Sequence, residues 1–524
     1  MMMGITKNLL ITIGVTAIAL GCGQQEKSSE TTEGSSNDSK PNVIIFYIDD
    51  LGYGDVGAYG SPAVSTPNID KMAANGLRLT DAHSGSATCT PSRYSLLTGT
   101  YAFRNDVSIL PGDAPLLIDP EMPTLPKMLQ EAGYKTAVVG KWHLGLGSGD
   151  IDWNKEVAPG PREVGFDYSF LIPATGDRVP TVYLEDQKVV NADPNDPIAV
   201  NYRKDLGGYP NGIDRPDLRW QQADKQHSGT IVNGISRIGY MSGGEKALWV
   251  DEDFPELLVD KCKTFISSAK NEPFFLFFSY HDIHVPRMPN EQFKGTSKMG
   301  LRGDVIAQMD WSTGQIMDFL KAQGLEENTL VIFTSDNGPV LNDGYEDGSM
   351  EKLGDHKPGG PFSGGKYSAL EAGTRVPTIV HWPGKVKEGV SGALVSQTDF
   401  YASIASLVNH KLKDQEAMDS ENVMPALLGT SLEGREFLLE ESFTLGLRHK
   451  NWKYVQPTKK GSPGFITHIK NIRAGGSAEE QLFNLSRDTS EQKNIAQDHP
   501  QVVAEMKERL DLIIGDEKSN NTKK

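Results

Sequence analysis

The chain has 524 residues, 38% of them hydrophobic and 8% aromatic, enough to bury a sizeable core and unlike a disordered or fibrous composition. With 52 basic against 69 acidic residues the net charge is −17, which excludes a general affinity for nucleic acid or anionic membrane surfaces. Three cysteines are too few for a disulfide framework or a four-cysteine zinc site.

The N-terminus has an apolar run at residues 9–20 followed by Gly21-Cys22. The run falls short of the roughly 20 residues that a spanning helix needs, so it reads as a signal peptide. Cys22 after Ala19-Leu20-Gly21 resembles the bacterial lipobox, whose cysteine is acylated and becomes the mature N-terminus; Ala19 stands where that pattern usually has Leu. Residues 1–22 are therefore expected to be a lipoprotein signal. The lipid on Cys22 would be the only membrane contact, holding the protein at the bacterial cell envelope on the periplasmic or outer side. Residues 23–40 are almost wholly polar and read as a flexible tether.

Four apolar runs follow, at residues 43–48, 136–139, 274–278 and 330–334. Each is continuous rather than alternating, the pattern of strands covered on both faces. Helices are expected from Thr66-Pro67 to Gly76, from Thr124 to Gly133, and over residues 252–270 and 304–322. This alternation predicts an α/β fold with a large doubly wound sheet. The runs lead into Asp49-Asp50, Gly140-Lys141-Trp142-His143, Tyr280-His281-Asp282-Ile283-His284 and Ser335-Asp336-Asn337-Gly338. Ligands of such sheets bind beyond the carboxyl ends of the strands, so these side chains should meet at one edge. After residue 409 shorter runs at 436–440, 446–448, 452–455 and 481–484 precede an amphipathic helix at 500–514. A catalytic domain over 41–409, a smaller antiparallel sheet plus helix over 410–516 and a frayed tail over 517–524 are expected.

Asp49, Asp50, Asp336 and Asn337 offer only oxygen, which suits a hard cation such as Ca²⁺ or Mg²⁺ rather than zinc. Cys89-Thr90-Pro91-Ser92-Arg93 places Pro91 as a first helical residue, so Cys89 is expected just before a helix N-terminus, where backbone N–H groups favour negative charge. That segment, with Leu96-Leu97-Thr98-Gly99 after it, resembles the signature of type I sulfatases in the alkaline phosphatase superfamily. The resemblance runs from about Asn42 to the C-terminal helix, and includes Gly140 to Gly145, His284-Val285-Pro286 and Gly365-Lys366 with Glu371 to Pro377. It implies a mixed-sheet sulfatase fold and conversion of Cys89 to formylglycine (3-oxoalanine) by a separate maturation enzyme. It also implies Ca²⁺ held by Asp49, Asp50, Asp336, Asn337 and the converted Cys89.

The implied reaction is attack of the formylglycine hydrate on sulfur, favoured by Arg93. Lys141 and Lys366 would stabilise the sulfuryl oxygens, His284 would protonate the leaving alcohol, and His143 would take the proton that frees sulfate. The stretch 172–180 looks like bacterial sulfatases of sulfated polysaccharides, so the expected substrate is a sulfated carbohydrate: a fragment of ulvan, carrageenan or porphyran, or a glycosaminoglycan. Asp177, Arg178 and His227 are candidate sugar contacts. The other readings are a phosphonate monoester or phosphodiester hydrolase of the same superfamily, and a non-catalytic protein that binds sulfated glycans.

Overall fold

Ten strands form the central sheet of the computed structural model, which describes residues 40–515. In chain order they are β1 (Asn42–Ile48), β2 (Leu77–His83), β3 (Lys135–Lys141), β4 (Tyr168–Ile172), β5 (Leu184–Glu185), β6 (Lys188–Val189), β7 (Phe274–Ser279), β8 (Thr329–Ser335), β9 (Thr378–His381) and β10 (Gly389–Ser396). They lie side by side as β10-β2-β9-β8-β1-β7-β3-β4-β5-β6. The four apolar runs are β8, β1, β7 and β3, which are neighbours and parallel, with Val43 opposite both Phe275 and Leu330. The sheet is mixed: β9 runs antiparallel to β8 and β2, and β5 to β4 and β6.

Every position of β1, β7 and β8 is buried, which is why their sequences do not alternate. Val43, Ile45 and Tyr47 join one core with α2 (Cys89–Thr98), α3 (Leu125–Glu131) and α6 (Phe400–Leu407). Ile44, Phe46 and Ile48 join the other with α1 (Pro67–Ala74), α4 (Phe254–Ala269) and α5 (Leu301–Ala322). Helices on both faces make the sheet doubly wound. Thr124 accepts a hydrogen bond from Lys127 N at 3.3 Å and caps α3 as its sequence suggests. Thr66 instead accepts from Gly57 N and donates to Asp70, so it ties down the preceding loop and its side chain does not cap α1.

A second, antiparallel sheet holds β11 (Phe437–Glu441), β12 (Leu445–His449), β13 (Trp452–Val455) and β14 (Gln481–Asn484) in sequence order. Leu439, Leu447, Tyr454 and Leu482 pack on Val503, Met506 and Leu510 of α7 (Pro500–Gly515). Between β13 and β14 the chain makes a long excursion over residues 456–480. The signal segment, Cys22, most of the tether and the terminal tail lie outside the described residues. Among the described residues no helix is long and apolar enough to cross a membrane.

Candidate active site

At the ends of β1 and β8 the two segments are hydrogen-bonded to each other through backbone and through side chains. Asp336 N donates to Ile48 O at 2.9 Å, and Asn337 Nδ2 donates to Asp50 Oδ1 at 2.8 Å. Asp49, Asp50, Asp336 and Asn337 are all fully buried. Two of their oxygens, Asp49 Oδ1 and Asn337 Oδ1, have no hydrogen-bond partner. Burial, and for Asp49 next the Asp336 carboxylate, pushes the carboxyls of Asp49 and Asp50 up. Ligand atoms of Asp49, Asp50 and His284 lie within 4.8 Å of one another. Bare buried oxygens beside crowded carboxylates fit a divalent cation, which would satisfy the first and neutralise the second. Part of the counter-charge is built in: Lys141 pairs with Asp49, Arg93 Nη2 with Asp336 at 2.7 Å, and Lys366 Nζ with Asp50 at 2.9 Å.

Cys89 does not precede its helix, as the sequence suggested, but begins it. Thr88 is the extended residue before α2, and Pro91 is the third helical residue. Proline is accommodated there because the first turn of a helix has N–H groups without intrahelical partners, so one can be lost without breaking the ladder. The thiol is buried, and burial raises its pKa. The rest of the motif holds it in place. Ser92 Oγ and Tyr47 OH are 2.9 Å apart, Tyr47 donates to Gln397, and Gln397 Nε2 donates to Ser335 O at 2.6 Å, bolting α2 to β1 and β8. Arg93 reaches Lys141 O and Ser279 Oγ, and Thr90 Oγ1 donates to His143 O at 3.1 Å.

His143 sits in the left-handed region at φ 51° and its Nε2 is 3.0 Å from Leu110 O. A carbonyl can only accept, so Nε2 carries the proton and the buried Nδ1, which has no partner, is a free base. Burial, and then Arg178, holds His143 well below the ordinary histidine range, in the neutral form. His284 has the opposite tautomer: Nδ1 donates to Val285 O at 2.6 Å, leaving Nε2 3.9 Å from Asp50. Lys366 bridges Asp50 and Asp343, each at 3.0 Å.

A cavity of about 420 Å³ brings Cys89, His143, His284 and Lys366 together with Asp177, Arg178 and His227. Asp49, Asp50, Lys141, Arg93, Asp336 and Asn337 are not among its lining residues. The three expected sugar contacts form one cluster, with Arg178 Nη1 3.2 Å and His227 Nε2 3.3 Å from the Asp177 carboxylate. His281, from the segment that carries His284, accepts from Gly176 N at 2.9 Å and anchors the Asp177 loop. Sequence reasoning missed Leu110, Asp343, Tyr367, Phe465 and Lys470, which also line the cavity. They come from connections without motif or periodicity; only Tyr367, next to Lys366, had a signal nearby.

Comparison with known proteins decides what this arrangement belongs to. The family described as Sulfatase matches residues 41–410, most of the chain. The chain belongs to the sulfatase family. As a sulfatase it hydrolyses sulfuric esters, and its buried oxygen cluster suits the divalent metal that the family generally uses. It is 46% identical over 501 residues to an N-acetylgalactosamine-6-O-sulfatase of Bacteroides thetaiotaomicron, covering 95% of this chain and 97% of that protein. The human N-acetylgalactosamine-6-sulfatase is 31% identical over 416 residues, 77% of this chain and 69% of its own. Among solved structures, a sulfatase from work on glycosaminoglycan metabolism by B. thetaiotaomicron superposes with a TM-score of 0.89 at 48% identity. It covers 91% of this chain and 99% of its own.

Proposed function

We propose that this sulfatase removes sulfate from sulfated carbohydrates, with Cys89 converted to formylglycine by a separate maturation enzyme and Ca²⁺ at the Asp49, Asp50, Asp336 and Asn337 cluster. One observation carries the reading. Cys89 lines the same cavity as His143, whose Nδ1 has no partner, His284 and Lys366, and His284 and Lys366 in turn reach Asp50 of the cluster that keeps unsatisfied oxygens on Asp49 and Asn337. The 46% identity to an N-acetylgalactosamine-6-O-sulfatase makes 6-O-sulfated N-acetylgalactosamine, free or within a glycosaminoglycan, the first substrate to assay.

Calcium would be held by the four oxygen donors with the converted Cys89, and when bound it supplies Lewis-acid polarisation of an oxygen on sulfur. The chain's own groups do the rest. Arg93, fixed by Asp336, and Lys141, fixed by Asp49, present positive charge at the start of α2, where an oxygen on the side chain of residue 89 is held in its ionised form. Lys366 contacts the sulfuryl oxygens. His284, its Nδ1 engaged by Val285 O, offers Nε2 for the proton that the leaving alcohol takes. His143 accepts a proton at Nδ1 from the residue 89 side chain, because Leu110 O keeps the hydrogen on the far nitrogen. Asp177, Arg178 and His227 bind hydroxyls of the sulfated ring.

We further propose that Cys22 is lipidated and that the boundary between the catalytic domain and the C-terminal subdomain lies near residue 409. The apolar cluster under the small sheet supports a distinct C-terminal unit, although it also takes in Tyr101, and residues 417–427 pack in the main core. The phosphonate hydrolase and binding-protein readings have no observation in their favour. One assay series tests the central proposal. Protein with formylglycine verified by mass spectrometry of the residue 89 peptide should release sulfate from 6-O-sulfated N-acetylgalactosamine, and Cys89→Ser should lose at least about 10³-fold in kcat. Chelation should abolish turnover, and Ca²⁺ should restore it without zinc. Undiminished hydrolysis by Cys89→Ser, or a strict zinc requirement, would refute the proposed chemistry.

A further inference from the structure

The excursion between β13 and β14 is too long to be a mere connection, since loops beyond roughly 12 to 15 residues are usually functional. It leaves the small sheet, crosses to the catalytic cavity and returns. Its anchors fall on the two segments that flank Lys366 and Asp343. Ser368 Oγ donates to Arg473 O at 2.7 Å and Ala369 N to Ala474 O at 2.8 Å, while Asn342 Nδ2 donates to Ile469 O at 3.2 Å. Lys470 Nζ pairs with Asp343 at 2.5 Å. A π-helical turn, Phe465–Ile469, immediately precedes these anchors and buries its own Ile466.

Phe465 has no role in that packing. It is 46% exposed, lines the mouth of the catalytic cavity, and meets Tyr367 edge to face at 5.6 Å between ring centroids. Tyr367 is in turn aimed at Asp343 through its hydroxyl, at 3.3 Å. The result is a half-exposed aromatic ring, braced on one side by Tyr367, in the lining of the cavity assigned to the sulfated ring. Lys470 at this lip is already paired with Asp343, which Lys366 also contacts. The chemistry of the lip suits the apolar C–H face of a pyranose, with hydroxyls turned outward to water.

We propose that the excursion forms a second sugar subsite, with Phe465 as the platform for the ring joined through its glycosidic bond to the sulfated one. The inference rests on the carbohydrate-sulfatase reading and adds that the enzyme recognises at least two linked sugars. Stacking against one aromatic face contributes about as much as other aromatic contacts, so its loss is expected to change kcat/KM by about tenfold.

The test compares the converted, metal-loaded enzyme on a sulfated monosaccharide and on a disaccharide or trisaccharide that ends in the same sulfated sugar. Wild type should favour the longer substrate through KM. Phe465→Ala should lower the ratio of oligosaccharide to monosaccharide kcat/KM by about tenfold, and Phe465→Tyr should restore it. Equal losses on both substrates, or an unchanged ratio, would overturn the subsite while leaving the sulfatase reading intact. Wild type that cleaves an aryl sulfate but no sulfated sugar would instead remove the carbohydrate reading and this subsite with it.

Discussion

His227 shows how single side chains of the pocket are charged by their neighbours. Burial opposes its protonation, yet hydrogen bonds to Asp177 at 3.3 Å and Asp224 at 2.8 Å outweigh that and raise its pKa to about 9. A histidine whose pKa rises on folding, from an ordinary 6.5, stabilises the protein fully below 6.5, and that contribution disappears as the pH climbs through about 9. Thermal unfolding across pH 6 to 10 should show wild type losing on the order of 2 to 3 kcal/mol over this window. His227→Gln should lack that loss and start from lower stability at pH 6; parallel curves for the two proteins would mean that His227 is neutral in the fold. At this scale the sequence was most legible where chemistry sits directly after a strand or inside a dense motif, as at Asp49, Asp336 and Cys89. Leu110 and Asp343 were illegible for the converse reason. A backbone carbonyl that sets a tautomer has no residue signature, and an aspartate in a long loop gains its meaning only from the two lysines that fold onto it.

Elements far apart in the chain are clamped by buried ion pairs. Glu371, in the segment after Lys366, takes Arg448 of β12, Lys453 of β13 at 3.3 Å and Arg375 at 2.9 Å. Lys453 also reaches Glu440 of β11 at 3.0 Å and Glu491 at 3.4 Å, and Arg448 reaches Asp81 of β2 at 3.2 Å. Asp81, His83 and Glu371 come close enough together to suggest a metal site, but these cations already supply the counter-charge. The network instead joins the small sheet to the edge of the large one and to the Lys366 segment. Removing one partner from such a pair leaves bare buried charge, so Lys453→Met should cost about 3 to 5 kcal/mol in urea unfolding. Adding Glu440→Gln should recover part of that loss; a cost under about 1 kcal/mol for the single change would mean that water reaches the cluster. Apart from Glu371 with Arg375, four residues on, these pairs were not visible in sequence, because their members lie in different elements up to 367 residues apart. The four central strands were visible because complete burial writes itself as an unbroken apolar run. β2 was not, since its sequence Leu77-Arg78-Leu79-Thr80-Asp81 mixes core and charged positions near the sheet's edge.

Taken as one object, the enzyme carries a net charge of −17 yet lines one cavity with Arg178 and Lys366 and sets Arg93 and Lys141 on the Asp336 and Asp49 carboxylates of the same site. An anionic substrate is thus attracted locally by a molecule that repels it elsewhere, which favours capture close to where the polymer is presented. Anchoring through Cys22 would supply that placement. Wild type expressed in a bacterial host should sediment with membranes, and Cys22→Ser should become soluble or remain unprocessed; equal partitioning of the two would remove the anchor. The burial of Cys89 in α2 has a consequence in time. Once α2 is formed and packed, a helical thiol only 2% exposed cannot be handed to a second enzyme, so under the proposed conversion its oxidation must come before folding. β8, to which Tyr47 and Gln397 tie α2, is made roughly 250 residues later, which at ribosomal speeds of about 5 to 20 residues per second is an interval of about 10 to 50 seconds. The same packing that keeps the thiol inert in the finished protein therefore sets a deadline for making the enzyme active.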